Sequence, residues 1–263
     1  MNARMHCRTE AIVLKSMDYG ESDRIVTFYT LEYGKIKGIA KGARKSKKRF
    51  ANALEPFSRS QLSFLRKNQT GMDFIEGCDV FSHFPEIRSN LEKTLAASYI
   101  IDLMDKFMPD QKKSEASFHL LQDFLFFLEN KPFSEAILRF FEIRLLEISG
   151  YAPVLDYCLN CKAPIEDKKT YLFDMVKGGL VCNTCHFGHT DAIPISLGTI
   201  KTLKMGRELD IENLGRLFFT AQSADESRRI LGHFISHILG KELKSLKVLN
   251  EISRLQAEKI IGR

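Results

Sequence analysis

Arg24-Ile-Val-Thr-Phe-Tyr-Thr30, Glu32-Tyr-Gly34 and Lys35-Ile-Lys-Gly-Ile-Ala40 follow closely in the first third of the chain. The first is β-branched and aromatic, the second is turn-like, and in the third charged and apolar residues alternate with a period near two. That is a strand, a reversal and a strand. Upstream, Thr9-Glu-Ala-Ile-Val-Leu-Lys15 is another β-branched run, closed by Asp18-Tyr-Gly20. Downstream, Gln61-Leu-Ser-Phe-Leu-Arg66 and Met72-Asp-Phe-Ile-Glu76 add two more, parted by Asn68-Gln-Thr-Gly71. Five short strands in so little chain predict a small closed barrel, because closure removes the exposed edges of a short open sheet.

The period changes near Pro85. Leu91, Leu95, Tyr99 and Leu103 recur every four residues, and Phe118 to Leu128 is apolar on nearly every side, which predicts a central, buried helix. Ser134 can cap a helix through Ile137, Phe140, Phe141, Leu145 and Ile148 that stops at Gly150. Ser223-Ala-Asp-Glu226 has the form of a capping box, opening a helix with Ile230, Leu231, Phe234, Ile235 and Ile238 on one face. The sequence thus predicts an α+β chain of two domains. Residues 1–81 form the barrel, residues 82–253 are helical with an inserted hairpin at about 155–190, and residues 254–263 form a frayed tail.

The insertion is marked by Cys158-Leu-Asn-Cys161 and Cys182-Asn-Thr-Cys185. Two CxxC turns at the ends of a hairpin bring four thiolates to one tetrahedral ion and leave no open position, the pattern of a structural zinc site. Tyr171-Leu-Phe173 and Leu180-Val181 are the expected arms, with Lys177-Gly-Gly179 at the turn. Cys7 and Cys78 stand apart among apolar neighbours and are expected to be buried free thiols.

The chain has 263 residues and a net charge of +6, and its first eighty residues hold all of the excess. Lys35, Lys37, Lys41, Arg44, Lys45, Lys47, Lys48 and Arg49 lie together with no acidic residue among them. Such a run is either a solvated loop or the footprint of a polyanion; as the extension of a barrel strand it points to nucleic acid. Tyr19, Phe28, Tyr29, Tyr33 and Phe50 are candidate stacking platforms or core residues. No GxxxxGK[ST], GxGxxG or GxSxG occurs, and no catalytic carboxylate pair is legible, so no enzymatic activity is expected. The polar start lacks a secretory apolar stretch and no apolar run reaches about eighteen residues, so the chain is expected in the cytoplasm, away from membranes.

Asp18-Tyr-Gly-Glu-Ser-Asp-Arg-Ile-Val26, Gly34-Lys35, Ala40-Lys-Gly-Ala-Arg-Lys45, Arg49-Phe50 and Leu54-Glu-Pro-Phe57 together resemble the N-terminal signature of the bacterial RecO family. Gly150-Tyr151, the first CxxC, Phe173-Asp174, Gly178-Gly179 and the second CxxC follow in the family's order. The resemblance implies an N-terminal OB-fold barrel and a helical domain bearing a four-cysteine zinc hairpin. It implies binding to single- and double-stranded DNA and annealing of complementary strands. It also implies partnership with RecR and RecF, contact with the C-terminal tail of the single-strand binding protein SSB, and loading of RecA onto SSB-coated strands in the bacterial nucleoid. The family's basic barrel positions fall on Lys35, Lys41, Arg44, Lys45 and Arg49; Lys37, Lys47 and Lys48 join them on charge alone. Arg24 matches the signature; contact with DNA and pairing with Asp23 or Glu21 are both open to it. An acidic, apolar-ended tail would call for a groove with cations such as Arg139, Arg144, Arg228 and Arg229.

Two other classes compete. An RNA-binding or transcription-associated zinc protein is compatible with the cysteines, but the excess cations lie in the barrel, away from them. A thiol oxidoreductase needs one working pair with an exposed low-pKa thiolate, whereas two matched pairs favour metal.

Overall fold

The computed structural model describes residues 5–46, 49–50, 52–66, 72–167, 169–186, 192–217 and 219–261, the last stretch as backbone only from residue 253. The chain divides into two compact units, residues 1–130 and 131–263. The strand-to-helix change falls earlier, between residues 82 and 85, so the first three helices group with the barrel.

In the first unit, β1 (Met5–Tyr19), β2 (Asp23–Thr30), β3 (Gly34–Ala40), β4 (Arg59–Arg66) and β5 (Asp73–Ser82) close into a barrel of order β1-β2-β3-β5-β4. This is the OB-like topology. The long β1 serves two neighbours: its first half pairs with β4 and its second with β2. A bulge lies between them. Val13 pairs with Phe28 and Lys15 with Thr27, so Leu14 is the extra residue. Before it, Cys7, Ala11 and Val13 face the barrel core; after it, Lys15 is exposed. The barrel closes where β3 and β5 run parallel through Gly38↔Asp73 and Ile39↔Phe74. A Cβ at Gly38 would drive into the Ile75 side chain, so this crossing requires glycine.

The core alternates as the sequence predicts. Val26 and Phe28 of β2, Ile36 and Ala40 of β3, and Leu62 and Phe64 of β4 are buried inside. Phe50 and Leu54, from the segment after β3, plug the same core. Outside the strands lie α1 (Pro85–Ser89), α2 (Leu91–Phe107) and α3 (Glu115–Asn130). Phe118, Leu121, Phe124, Leu125 and Leu128 of α3 are buried, as expected of a central helix, and Phe118 stacks on Tyr29 of β2 at 6.5 Å. Asn90 caps α2 through the Lys93 N–H at 3.0 Å.

The second unit opens with α4 (Glu135–Ile148), capped by Ser134 and stopped at Gly150 with φ 82°. A three-stranded sheet follows, of order β7-β6-β8, from β6 (Tyr171–Asp174), β7 (Gly179–Cys182) and β8 (Ala192–Ile195). The expected hairpin arms are β6 and β7. The sequence does not announce β8, because Pro194 sits in it; Pro is tolerated on such an edge strand. Then come α5 (Leu197–Glu208), α6 (Ile211–Leu214), α7 (Ala221–Leu239) and α8 (Lys244–Ile261). The α8 backbone carries the helix through most of residues 254–263, where the sequence suggests a tail.

One cap differs from expectation. α7 begins at Ala221, capped by Thr220, which accepts from the Ser223 N–H at 3.0 Å. Ser223 and Glu226 therefore lie inside the helix. Glu226 turns to the start of α5 instead: one carboxylate oxygen accepts from the Ser196 N–H at 2.8 Å, the Ser196 hydroxyl at 2.7 Å and the Thr199 hydroxyl at 2.5 Å. Burial opposes its ionisation, but these donors hold its pKa below the ordinary glutamate value. Among the described residues, no helix is long and apolar enough to cross a membrane.

Candidate functional site

The turn after β3 is built by acids that precede it. Asp23, at the start of β2, accepts from the Gly42 N–H at 2.8 Å, and this bond leads the causes that hold its pKa below the ordinary aspartate value. The Arg44 N–H donates to the Ser22 carbonyl at 3.0 Å. The β1–β2 reversal thus templates the turn from Lys41 to Lys45. Arg24 pairs with Glu55 at 2.7 Å and Asp18 at 3.2 Å, rather than with Glu21 or Asp23, and Glu55 leads in raising its pKa. It is a strut of the signature.

The predicted cations fall into three groups. Lys37, Lys41 and Lys45 are exposed and, among the described residues, carry no ion pair. Arg44 and Arg49 are exposed but tethered. Arg44 pairs with Asp18 at 3.4 Å; Arg49 donates to the Lys41 carbonyl at 3.1 Å and lies over the Phe50 ring. Lys35 is committed: its side chain is only 13% exposed, its ammonium donates to the Asp105 carbonyl at 2.6 Å, and it pairs with Asp110 at 3.2 Å. Lys47 and Lys48 lie outside the described residues.

The register shows a surface that charge counting alone misses. On the outer face Lys15, Thr27 and Lys37 are cross-strand neighbours in one row. The adjacent row is Met17, Ile25, Ile39 and Phe74, all exposed or half-buried. Beyond it Tyr19 is 52% exposed, opposite Asp23. A row of ammonium groups beside a row of apolar side chains is suited to a phosphate backbone with its bases turned inward. Alternation and pairing could have found these residues; the bulge at Leu14 hid Lys15 and Met17. Of the aromatic candidates, Tyr19 alone stands on this face. Phe28, Tyr29 and Phe50 are buried, and Tyr33 lies beneath Arg66 and against Phe64.

In the second unit the four cysteine Sγ atoms lie within 4.8 Å of one another. Cys161 and Cys182 approach to 3.9 Å, close to the ~3.8 Å edge of a tetrahedron with metal–sulfur bonds of about 2.3 Å. Cys158 and Cys182 are buried, Cys185 is half-buried and Cys161 is exposed. Burial opposes ionisation of Cys158, but the N–H groups of Cys182, Cys161 and Asn160 overcome it and bring the thiol to about 6. The donor set and spacing fit a metal ion held entirely by protein. The tip is fastened locally: Asp174 accepts from the Val176 and Lys177 N–H groups, and the Gly178 N–H donates to its carbonyl. Gly178, at φ 67°, leaves room for the Phe234 ring, where a Cβ would come within 3.0 Å.

Cys7 is buried in the barrel core, and burial pushes the half-buried Cys78 thiol to about 12. The helix cations proposed for tail recognition are already engaged. Arg139 is 3% exposed and pairs with buried Glu142 at 2.8 Å. Arg144 donates to the Gly206 carbonyl at 2.8 Å and also to that of Leu209. Arg228 pairs with Glu135 and Arg229 with Asp225.

Residues 5–84 match the family model described as Recombination protein O N terminal, and residues 88–247 match Recombination protein O C terminal. The chain belongs to the RecO family. A DNA repair protein RecO from Syntrophus aciditrophicus is 51% identical over 97% of this chain and 99% of its own. Its counterparts from Geobacter metallireducens and Dehalococcoides mccartyi are 36% and 35% identical, over 93% and 94% of this chain and 97% and 96% of theirs. This RecO-family chain is thus a DNA repair protein, and the two family matches meet at the strand-to-helix change.

Proposed function

We propose that this chain is a non-enzymatic recombination mediator. It binds single- and double-stranded DNA on the barrel, anneals complementary strands and, with RecR, helps to load RecA onto SSB-coated single strands. The observation that carries the DNA reading is the outer barrel face: the Lys15–Thr27–Lys37 row beside the Met17–Ile25–Ile39 row, continued by Lys41, Arg44, Lys45 and Arg49. Phosphates lie on the cations and bases on the apolar row. Annealing then needs only that two neutralised strands meet, because base pairing reads the sequence. Lys47 and Lys48 join this proposal on charge alone. Lys35 contributes little direct phosphate contact, because Asp105 and Asp110 already hold it.

The four cysteines hold one structural zinc ion. Bound zinc supplies fixed geometry and no open coordination site for chemistry. RecR, the SSB tail and RecF are the partners implied by family membership, acting at the nucleoid in the bacterial cytoplasm.

The test is annealing of complementary strands, bare or SSB-coated, with and without RecR. The expected result is fast annealing of bare strands and RecR-assisted action on coated ones. Annealing unchanged by Lys41→Glu with Lys45→Glu would overturn the barrel assignment. Equal preference for RNA of the same length would favour the RNA-binding reading.

A further inference from the structure

Where β3 begins, the outer barrel face ends in a cavity of about 250 Å³. Lys15 and Lys37 bring cations to its lining, Met17, Ile25 and Thr27 bring mostly apolar surface, and Asp105 and Asp110 bring carboxylates, with Lys35 paired between them. A surface meant only for phosphate gains nothing from carboxylates. These two are not equivalent. Asp105 is half-buried and already holds Lys106 at 2.8 Å as well as Lys35. Asp110 is 80% exposed and meets the Lys35 ammonium through one oxygen at 3.2 Å. Its other oxygen has no partner among the described residues.

The loop carrying Asp110 is pinned against the strand. The Gln111 N–H donates to the Lys35 carbonyl at 2.8 Å, and Asp110 and Lys35 form a bridge. The acceptor is therefore held at the cavity rim. Cations, apolar surface and a fixed carboxylate in one lining match the three parts of a nucleotide: phosphate, ring face and exocyclic amine. Carboxylates accept from the amino group of cytosine, whereas a base with a carbonyl there would meet like-sign repulsion.

Resting on the DNA reading above, we propose that this cavity takes one unpaired base of single-stranded DNA and selects bases bearing an exocyclic amine, with Asp110 as the acceptor. The probe pair is oligo(dC) against oligo(dU), which differ at C4 (amine against carbonyl) and at N3 (bare nitrogen against N–H), at slightly alkaline pH. Binding by the full-length chain is followed by fluorescence anisotropy, with Asp110→Ala as the variant. The exposed position of Asp110 makes the variant safe for folding, which circular dichroism checks.

The parent protein should bind oligo(dC) about tenfold more tightly than oligo(dU), the scale of one charge-assisted hydrogen bond. In Asp110→Ala the ratio should fall to about one. Oligo(dU) should bind at least as well as before, because one negative charge leaves the cavity while Asp105 still holds Lys35. Equal, tight binding of both oligomers by the parent protein would overturn the base pocket and leave the DNA reading standing. A preference that survives in Asp110→Ala would do the same. Binding of neither would overturn both.

Discussion

Two stretches of this chain concentrate one kind of side chain, and they do opposite things with it. From Lys35 to Arg49 like charges gather on the barrel unit and diverge: Lys37, Lys41 and Lys45 point to solvent. From Cys158 to Cys185 in the helical unit four thiols converge to within 4.8 Å. On the zinc reading, a converging set makes its own partner obligatory, because four thiolates packed so closely need a cation. A diverging set is held apart by its own repulsion and waits for a partner from outside. On the readings proposed above, fold stability depends on the first kind of cluster and binding on the second.

The contrast breaks most sharply at the cysteines. Cys158→Ser combined with Cys182→Ser should abolish stoichiometric zinc, measured by atomic emission, and unfold the hairpin. The apparent binding energy at risk is of order 10–16 kcal/mol for small zinc modules. Strand annealing by the barrel unit should outlast this loss, and its disappearance would erase the division of labour.

Glu226 is a second converging centre, made of hydroxyl and N–H donors rather than thiols. Glu226→Ala leaves the Ser196 and Thr199 donors unmatched and should cost about 2–3 kcal/mol in urea unfolding. Its pKa is lowered on folding, so its contribution is complete above the ordinary value of 4.5 and is lost as pH falls from there through the lowered folded value. The parent protein should lose this increment on acidification, and the alanine variant should not.

On the diverging side, Lys41→Glu with Lys45→Glu should weaken single-stranded DNA binding by about tenfold at moderate salt. It should also flatten the slope of log K against log salt by about 1.4, two phosphates at roughly 0.7 each. The smallest effect sharpens the comparison most. Lys37→Ala should lower the slope by about 0.7, and Lys35→Ala should leave it nearly unchanged, although the two lysines are neighbours on one strand.

That last difference shows what the sequence could and could not tell. The cysteine cage was legible because metal coordination demands ligands at fixed spacing, and the spacing is local. The barrel was legible from alternation in β2, β3 and β4. The fate of Lys35 was not, because the acids that hold it arrive from Asp105 and Asp110, some seventy residues away. The partner of Arg24 was hidden for a similar reason: Glu55 comes to it from beyond β3. The start of α7 was misread because Ser223 and Glu226 satisfy the pattern of a cap, while Thr220 stands where the chain turns. A short-range pattern cannot reveal that a carboxylate has a better use on another helix.

The extra residue in β1 acts as a frame correction within a single strand. In a regular strand, the alternation that buries Ala11 and Val13 would send Lys15 inward and leave Leu14 outside. The bulge absorbs one residue and returns Lys15 to the outer face opposite Thr27. The cationic row is therefore set by counting as well as by composition. Deleting Leu14 should keep Lys15 outside and remove the kink, whereas one further residue inserted after it should turn Lys15 and Met17 toward the core together. No substitution at Lys15 alone would expose that dependence.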